Sequence, residues 1–264
     1  MHSCATSVAM ASAPFLHHLQ LHEDVIAFST TRHGGCSEGR YGTFNICPYT
    51  GDNPQHIQAN REILAKHLSI APNHIVLPHQ THSVEVRVIC SPEVQAAELY
   101  GVDAIITQLK GLCIGVSTAD CIPILLYDKA HQAIAAIHAG WRGTVGRIVE
   151  RTIATMQATI GTEPANLFAC IGPGISCAAY EVGDELVDTF AKARFDIPSI
   201  ATHTASRWHI DLPRANENEL IRCGVPQRHI TRSTICTWTQ HKDFFSARRE
   251  GIHSGRIFTG VTIP

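Results

Sequence analysis

At 264 residues, with 44% hydrophobic and 17% charged residues, the chain is long enough to bury a sizeable core and leave room for a pocket. A formal charge of -2 gives no electrostatic reason to expect nucleic acid or an anionic membrane as a partner, and no apolar run approaches the roughly 20 residues that span a bilayer. Ten cysteines without a C-x-x-C pair fit neither a small disulfide scaffold nor a zinc ribbon, so reduced thiols, a cytoplasmic setting and no obligate protein partner are expected.

Residues 1–22 lack a basic start and a long apolar centre, and they read as a loose lead-in to one domain over 23–264. Val25 to Thr31 predicts a strand that enters TRHGGCSEGRYGTFNI, a glycine-rich loop carrying Arg32 and Asn45 without a phosphate-loop or dinucleotide pattern. Arg32 fits an anion donor and a surface arginine beside a turn equally well. Asp52 or Asn53 followed by Pro54 starts a helix whose Ile57, Ile63, Leu64 and Leu68 recur at helical spacing up to about Ser69.

Ile75 to Leu77 and Val84 to Ile89 predict strands around PHQTHS, where alternation points His79 and His82 to opposite faces. Val102 to Thr107 and Leu112 to Ser117 predict further strands of the same sheet system. Thr144 to Ile160 predicts one helix, capped by Thr144 and closed by Gly161; its start beside Arg142 offers an anion site. A strand at Leu167 to Ile171, a bend through Tyr180 and a helix from about Gly183 to Lys192 follow. Phe195 to Trp208 has no regular pattern, Leu212 to Cys223 predicts a helix, and Ile230 to Thr237 and Arg256 to Val261 predict strands either side of Arg248 and Arg249. Strands mixed with amphipathic helices imply an α+β, mixed α/β, architecture.

The densest chemistry lies in STADCIPILLYDKAHQAIAAIHAGWRG, residues 117–143. Ile122 to Tyr127 and Ala133 to Ile137 predict a hairpin, and centring it between Lys129 and Ala130 places Cys121 directly opposite His138, with Cβ atoms about 5 Å apart. With His82 they form a set of two imidazoles and one thiolate, matching catalytic zinc with an open fourth position. Asp120 would then orient a ligand or carry protons, and Arg142 would clamp an anion. Two other readings stay open: Cys121 as a nucleophile activated by His138, for which His82 is not needed, or a buried thiol beside a strand-end histidine.

The segments TRHGGCSEG with GTFNI, QTH, VDAIIT, TADCIPILLYD, IHAGWRG, IGPGISCAAYEVGDEL and FFSARREGIHSGR resemble, in order, the motifs of the bacterial laccase-domain family. That family was once named for multicopper polyphenol oxidation; its members are described as zinc-dependent purine nucleoside phosphorylases and adenosine deaminases, some linked to peptidoglycan editing. The resemblance implies His82, Cys121 and His138 as metal ligands, and Arg32, Asn45, Arg142, Tyr180 and Arg248 lining the substrate cleft. It also implies a mixed β-sandwich flanked by helices. The expected substrates are phosphate and purine nucleosides: adenosine, inosine and S-methyl-5'-thioadenosine. Zinc is the expected metal, with copper as an alternative occupant. Multicopper oxidation is a poor physical fit, because it needs a separate histidine-rich cluster and the chain has no H-x-H pair. Thr81 and Ser83 flank His82 where the family commonly has valine and glycine, and Ala178 and Ala179 follow Cys177 where a further cysteine is common.

Overall fold

The computed structural model describes residues 16–204 and 207–264. Two sheets lie face to face. The larger has six strands in the order Ile230–Arg232, Leu167–Ile171, Ile122–Asp128, Ala133–Ala139, Val102–Thr107 and Glu85–Ile89. The smaller has five: Leu16–His18, Ile26–Thr30, Ile257–Thr262, Cys113–Thr118 and Ile75–Val76. A three-stranded sheet of Glu181–Val182, Arg207–Ile210 and Ala201–Thr204 stands apart from them.

Strand alternation decides what packs where. Ile105, Leu125, Tyr127, Ile134 and Ala136 point from the large sheet onto Ala27, Ile114, Val116 and Val261 of the small one. Their neighbours Ile106, Ile124, Leu126, Ala135 and Ile137 point the other way, onto Ile148, Val149, Ile153 and Met156 of the helix Ile148–Ile160 and onto Leu212, Ala215 and Leu220 of Leu212–Arg222. On the far side of the small sheet, Leu64, Ala65 and Leu68 of Pro54–Leu68 cover Phe28 and Phe258. The result is a β-sandwich between helical layers, in agreement with the mixed α/β expectation. Burying each large aliphatic side chain contributes roughly 2 kcal/mol, and the two central strands, like Val102–Thr107, Cys113–Thr118 and Ile257–Thr262, are buried along their whole length.

Several local expectations change. Leu16–His18, placed by the sequence in a loose lead-in, pairs with Ile26–Thr30 and buries Leu16; residues 1–15 of that lead-in lie outside the described residues. Val102–Thr107 and Cys113–Thr118 belong to opposite sheets, because the turn between them carries the chain across the sandwich. The hairpin pairs Ile122 with Ala139 and Pro123 with His138, two positions from the expected register, and His138 does not face Cys121 directly. The cause is a loop shifted by one residue, in which Asp128 Oδ1 accepts from the amides of Ala130 and His131.

The helix expected from Thr144 is two helices, Trp141–Val145 and Ile148–Ile160. Gly140 caps the first, and Thr144 lies inside it, bonded to Asn216. The break follows from packing. A Cβ on Gly146 would lie 2.6 Å from Val84 Cγ1, and Arg147 turns to φ 63, lies over Phe195 and pairs with Glu219. The expected strand at Ile230 to Thr237 stops at Arg232, where parallel pairing with Leu167–Ile171 ends. The patternless 195–208 stretch holds a short helix, Ile197–Ile200, and a hairpin of Ala201–Thr204 with Arg207–Ile210.

Candidate metal centre and adjoining cleft

His138 is the next-to-last residue of the Ala133–Ala139 strand, Cys121 immediately precedes Ile122–Asp128, and His82 sits in the loop before Glu85–Ile89. A slip of two residues preserves alternation, so Cys121 and His138 still share a face as diagonal neighbours. One ligand atom from each of the three residues lies within 4.8 Å of the others, and His82 Nε2 is 3.7 Å from Cys121 Sγ. Among the described residues this is the only group of three or more His, Cys, Asp or Glu side chains able to hold a metal ion. His138 is buried, Cys121 partly exposed and His82 exposed, so the trio opens outward on the His82 side.

Gly140 closes the inner wall. A Cβ there would lie 2.9 Å from Cys121 Sγ and 3.0 Å from His82 Cδ2, so only glycine lets both ligands approach. Its φ of -70° is open to any residue, which makes the requirement one of space and not of backbone. The donor set, its convergence and this Cβ-free wall all fit a small thiophilic cation such as zinc.

Asp103 was not singled out by its sequence context. It lies next to His138 in the antiparallel register that pairs Ala104 with Ile137, and its Oδ1 accepts from His138 Nδ1 at 2.7 Å. That bond leaves His138 Nε2 for a metal. The same carboxylate accepts from the amides of Thr81, His82 and Ser83. An aspartate within the mostly apolar VDAIIT run was the one signal in the sequence, and the structure buries it fully.

Charge follows from the geometry. Burial disfavours a Cys121 thiolate, yet His138 and His82 outweigh it and hold the thiol down at about 6. Burial likewise works against a charged His138, but Cys121 and Asp103 raise it to about 9. Without metal, both groups are therefore charged between those values: Cys121 ionises above the lower one and His138 stays protonated below the higher. In metal-stripped protein, iodoacetamide is expected to alkylate Cys121 at a rate that rises through about pH 6 and levels off near neutrality. Peptide mass mapping across the pH range checks this; a rate still climbing steeply above about pH 8, like an ordinary thiol, would refute the ion pair.

The other expected site residues divide. Tyr180 and Arg248 line a cavity of about 390 Å³ together with Trp141, Glu181, Leu186 and Thr189. Arg248 lies over the Tyr180 ring at 5.2 Å, and Arg142 over Trp141 at 4.2 Å. Burial, followed by the Cys121 charge, pushes the Tyr180 hydroxyl up to about 12, so it stays a proton donor at neutral pH. Arg32 is committed to the protein itself, bonding Glu250 and the carbonyls of Gly42 and His241. Asn45 is fully buried, donating to Thr50 and Asp52 and accepting from the amides of Cys47 and Arg256. Asp120 adopts φ 91 and accepts from Thr237 Oγ1 and the Arg248 amide, each at 2.7 Å. It ties the segment carrying Arg248 to the backbone beside Cys121.

The family described as multi-copper polyphenol oxidoreductase laccase matches residues 26–264. The chain is 45% identical over 253 residues to a purine nucleoside phosphorylase of Bacteroides thetaiotaomicron, covering 93% of this chain and 94% of that one. It is 43% identical over 249 residues to adenosine deaminase RL5 of an unknown prokaryotic organism, covering 90% and 94%. Among solved structures, the hypothetical protein YfiH of Bacillus licheniformis superposes with a TM-score of 0.88 at 26% identity, covering 97% of this chain and 98% of that one. YlmD of Geobacillus stearothermophilus superposes with a TM-score of 0.85 at 28% identity, covering 92% and 93%.

Proposed function

The chain belongs to the multi-copper polyphenol oxidoreductase laccase family, and from that premise we propose that it is a zinc-dependent purine nucleoside phosphorylase with adenosine deaminase activity. The observation that carries the reading is the convergence of His82, Cys121 and His138; none of them lines the cavity of about 390 Å³, but Tyr180 of its wall feels the Cys121 charge and Trp141 of its wall follows Gly140. Bound by the trio, zinc supplies Lewis acidity to an oxygen nucleophile. The chain's own residues supply the rest. Arg142 and Arg248 present positive charge to phosphate, which attacks C1' of the ribose while the C1'–N9 bond breaks and the purine departs. Tyr180, kept protonated, donates a hydrogen bond into the cavity, and Trp141 offers an apolar wall to a flat base. In deamination water adds at C6 of adenine and ammonia leaves, a reaction that consumes no phosphate.

A polyphenol oxidase reading is weaker, because one trio cannot supply the second, histidine-rich copper cluster that such chemistry uses. Copper is an alternative occupant of the same three ligands. Among the described residues, nine free cysteines suit a reducing, cytoplasmic setting, and no helix is long and apolar enough to cross a membrane.

The test is a panel of adenosine, inosine and S-methyl-5'-thioadenosine with and without phosphate, read by chromatography beside metal analysis. Free purine base is expected only with phosphate, inosine from adenosine in either condition, and about one zinc per chain. No product from zinc-loaded protein would overturn the reading. Within the same panel, Arg142→Ala is expected to slow phosphorolysis about tenfold more than deamination. Equal loss of both would make Arg142 a structural partner of Trp141.

A further inference from the structure

We infer that Asp103 is the positioning residue of the metal centre, a single carboxylate that sets both histidine ligands at once. The inference rests on reading His82, Cys121 and His138 as the ligands. Its ground is how four N–H donors and a shared hydroxyl are divided between two oxygens. Oδ1 accepts from His138 Nδ1 at 2.7 Å and from the His82 amide at 3.0 Å. Oδ2 accepts from the Thr81 and Ser83 amides at 3.0 and 2.9 Å, and Ser83 Oγ, 2.9 Å away, shares its one hydrogen between Oδ2 and the Gly101 carbonyl at 2.6 Å. The first bond fixes which ring nitrogen of His138 carries hydrogen, leaving the other as a lone-pair donor.

The amide bonds fix the second ligand. His82 has φ 61, a left-handed conformation that costs a non-glycine residue free energy and persists only where its surroundings impose it. Three successive N–H groups converging on one buried carboxylate impose it here, and the bend turns the His82 ring toward Cys121. Asp120, although adjacent to Cys121, has both oxygens committed to Thr237 and Arg248 and takes no part in this.

The arrangement makes a substitution of equal size informative. In Asp103→Asn one oxygen becomes an NH₂ group, and each position already faces at least two donors. With NH₂ in place of Oδ1, His138 must offer Nδ1 as acceptor and so protonate Nε2, which removes it from the metal. With NH₂ in place of Oδ2, it opposes the Thr81 and Ser83 amides, and the loop releases His82. Either orientation disables one ligand.

Full-length wild type, Asp103→Asn and Ser83→Ala are stripped of metal, loaded with cobalt(II), and titrated with zinc against a chromophoric chelator. Asp103→Asn is expected to bind zinc at least tenfold more weakly, with weakened or shifted cobalt d–d absorption but retained thiolate-to-cobalt charge transfer from Cys121. Ser83→Ala, which removes the Oγ contacts to Asp103, to the Gly101 carbonyl and from the Glu85 amide but no ligand and no backbone bond to Asp103, is expected to lose no more than about fivefold and to keep the wild-type spectrum. Should Asp103→Asn not fold, the inference stands on Ser83→Ala falling measurably below wild type; affinity unchanged there would overturn it. Wild-type affinity and spectrum in a folded Asp103→Asn would also overturn it. Failure of wild type itself to bind cobalt would overturn it by removing the metal reading beneath it.

Discussion

Cys121→Ser is expected to lower turnover of purine nucleosides by a factor on the order of 10³ or more and to leave the purified protein without stoichiometric zinc. A serine hydroxyl stays protonated where the Cys121 thiol, at about 6, is ionised, so the variant loses the one anionic ligand of the trio. Losing several kcal/mol of Lewis-acid stabilisation corresponds to about three powers of ten, at 1.36 kcal/mol for each. Loss of turnover alone would also follow if Cys121 were a nucleophile paired with His138. His82→Ala separates the two cases. A dyad has no use for His82, whereas a metal centre loses a ligand, so this variant is expected to fall to the same depth and to lose zinc with it. Steady-state kinetics and metal content of both variants decide. Full turnover in His82→Ala would return the site to thiol chemistry.

The second large effect is expected from a change of one methyl group. Gly140→Ala places a Cβ 2.9 Å from Cys121 Sγ and 3.0 Å from His82 Cδ2, closer than such atoms approach in practice, so at least one ligand has to move. The backbone there suits alanine well, with φ -70° and ψ 172°, so displacement of ligands is the only cost. A shift near 1 Å in a reacting group costs about 10²-fold in rate, and that is the expected loss of turnover, accompanied by weaker zinc retention. Overpacking by one carbon costs about 1–3 kcal/mol, a drop of several degrees in melting temperature, so the protein remains folded for assay. Crystal or solution measurement of zinc content, kcat and melting temperature on one preparation checks this. Unchanged zinc content and kcat would mean that the wall yields, and that Gly140 is not the constraint described.

The apolar runs carried most of the fold. VDAIIT appears as a strand over the expected residues, and Asn53 with Pro54 starts a helix that ends at Leu68, because burial and end-capping are local consequences of side-chain type. Pairing was less legible. Lys129-Ala130 is not a favoured turn pair, and the bonds that Asp128 makes to the loop amides moved the hairpin by two positions. An even slip kept Cys121 and His138 on one face, so the site survived an incorrect register. The helix break falls at Gly146, a local signal against a continuous helix, and only the fold shows why no side chain fits there, since Val84, more than 60 positions away, occupies the space.

For the site, ligand chemistry was readable and the role of each polar neighbour was not. Arg32 and Asn45 have the residue types of a binding cleft, yet Glu250, Asp52, Thr50 and several backbone groups engage them, partners that lie close only after folding. Asp103 illustrates the converse. An aspartate amid VDAIIT looks like an interruption until the strand pairs with Ala133–Ala139 and brings it beside His138.

The trio and the cleft are mounted differently. His138 lies on, and Cys121 just before, the two central strands, and His82 in a loop, while Arg142, Tyr180 and Arg248 stand on a five-residue helix, a bend and a four-residue helix. Short connecting segments accept exchange of side chains at Arg142 and Arg248 at little cost, whereas the strands, and Tyr180 packed into the core, do not. Under the proposed function, two of the three ligands are therefore held by the core sheet, while His82 and the cleft arginines rest on short connecting segments. On that reading, exchange of Arg142 or Arg248 is expected to change the preference between phosphate and water with zinc content retained, whereas alteration of the His82 loop changes both.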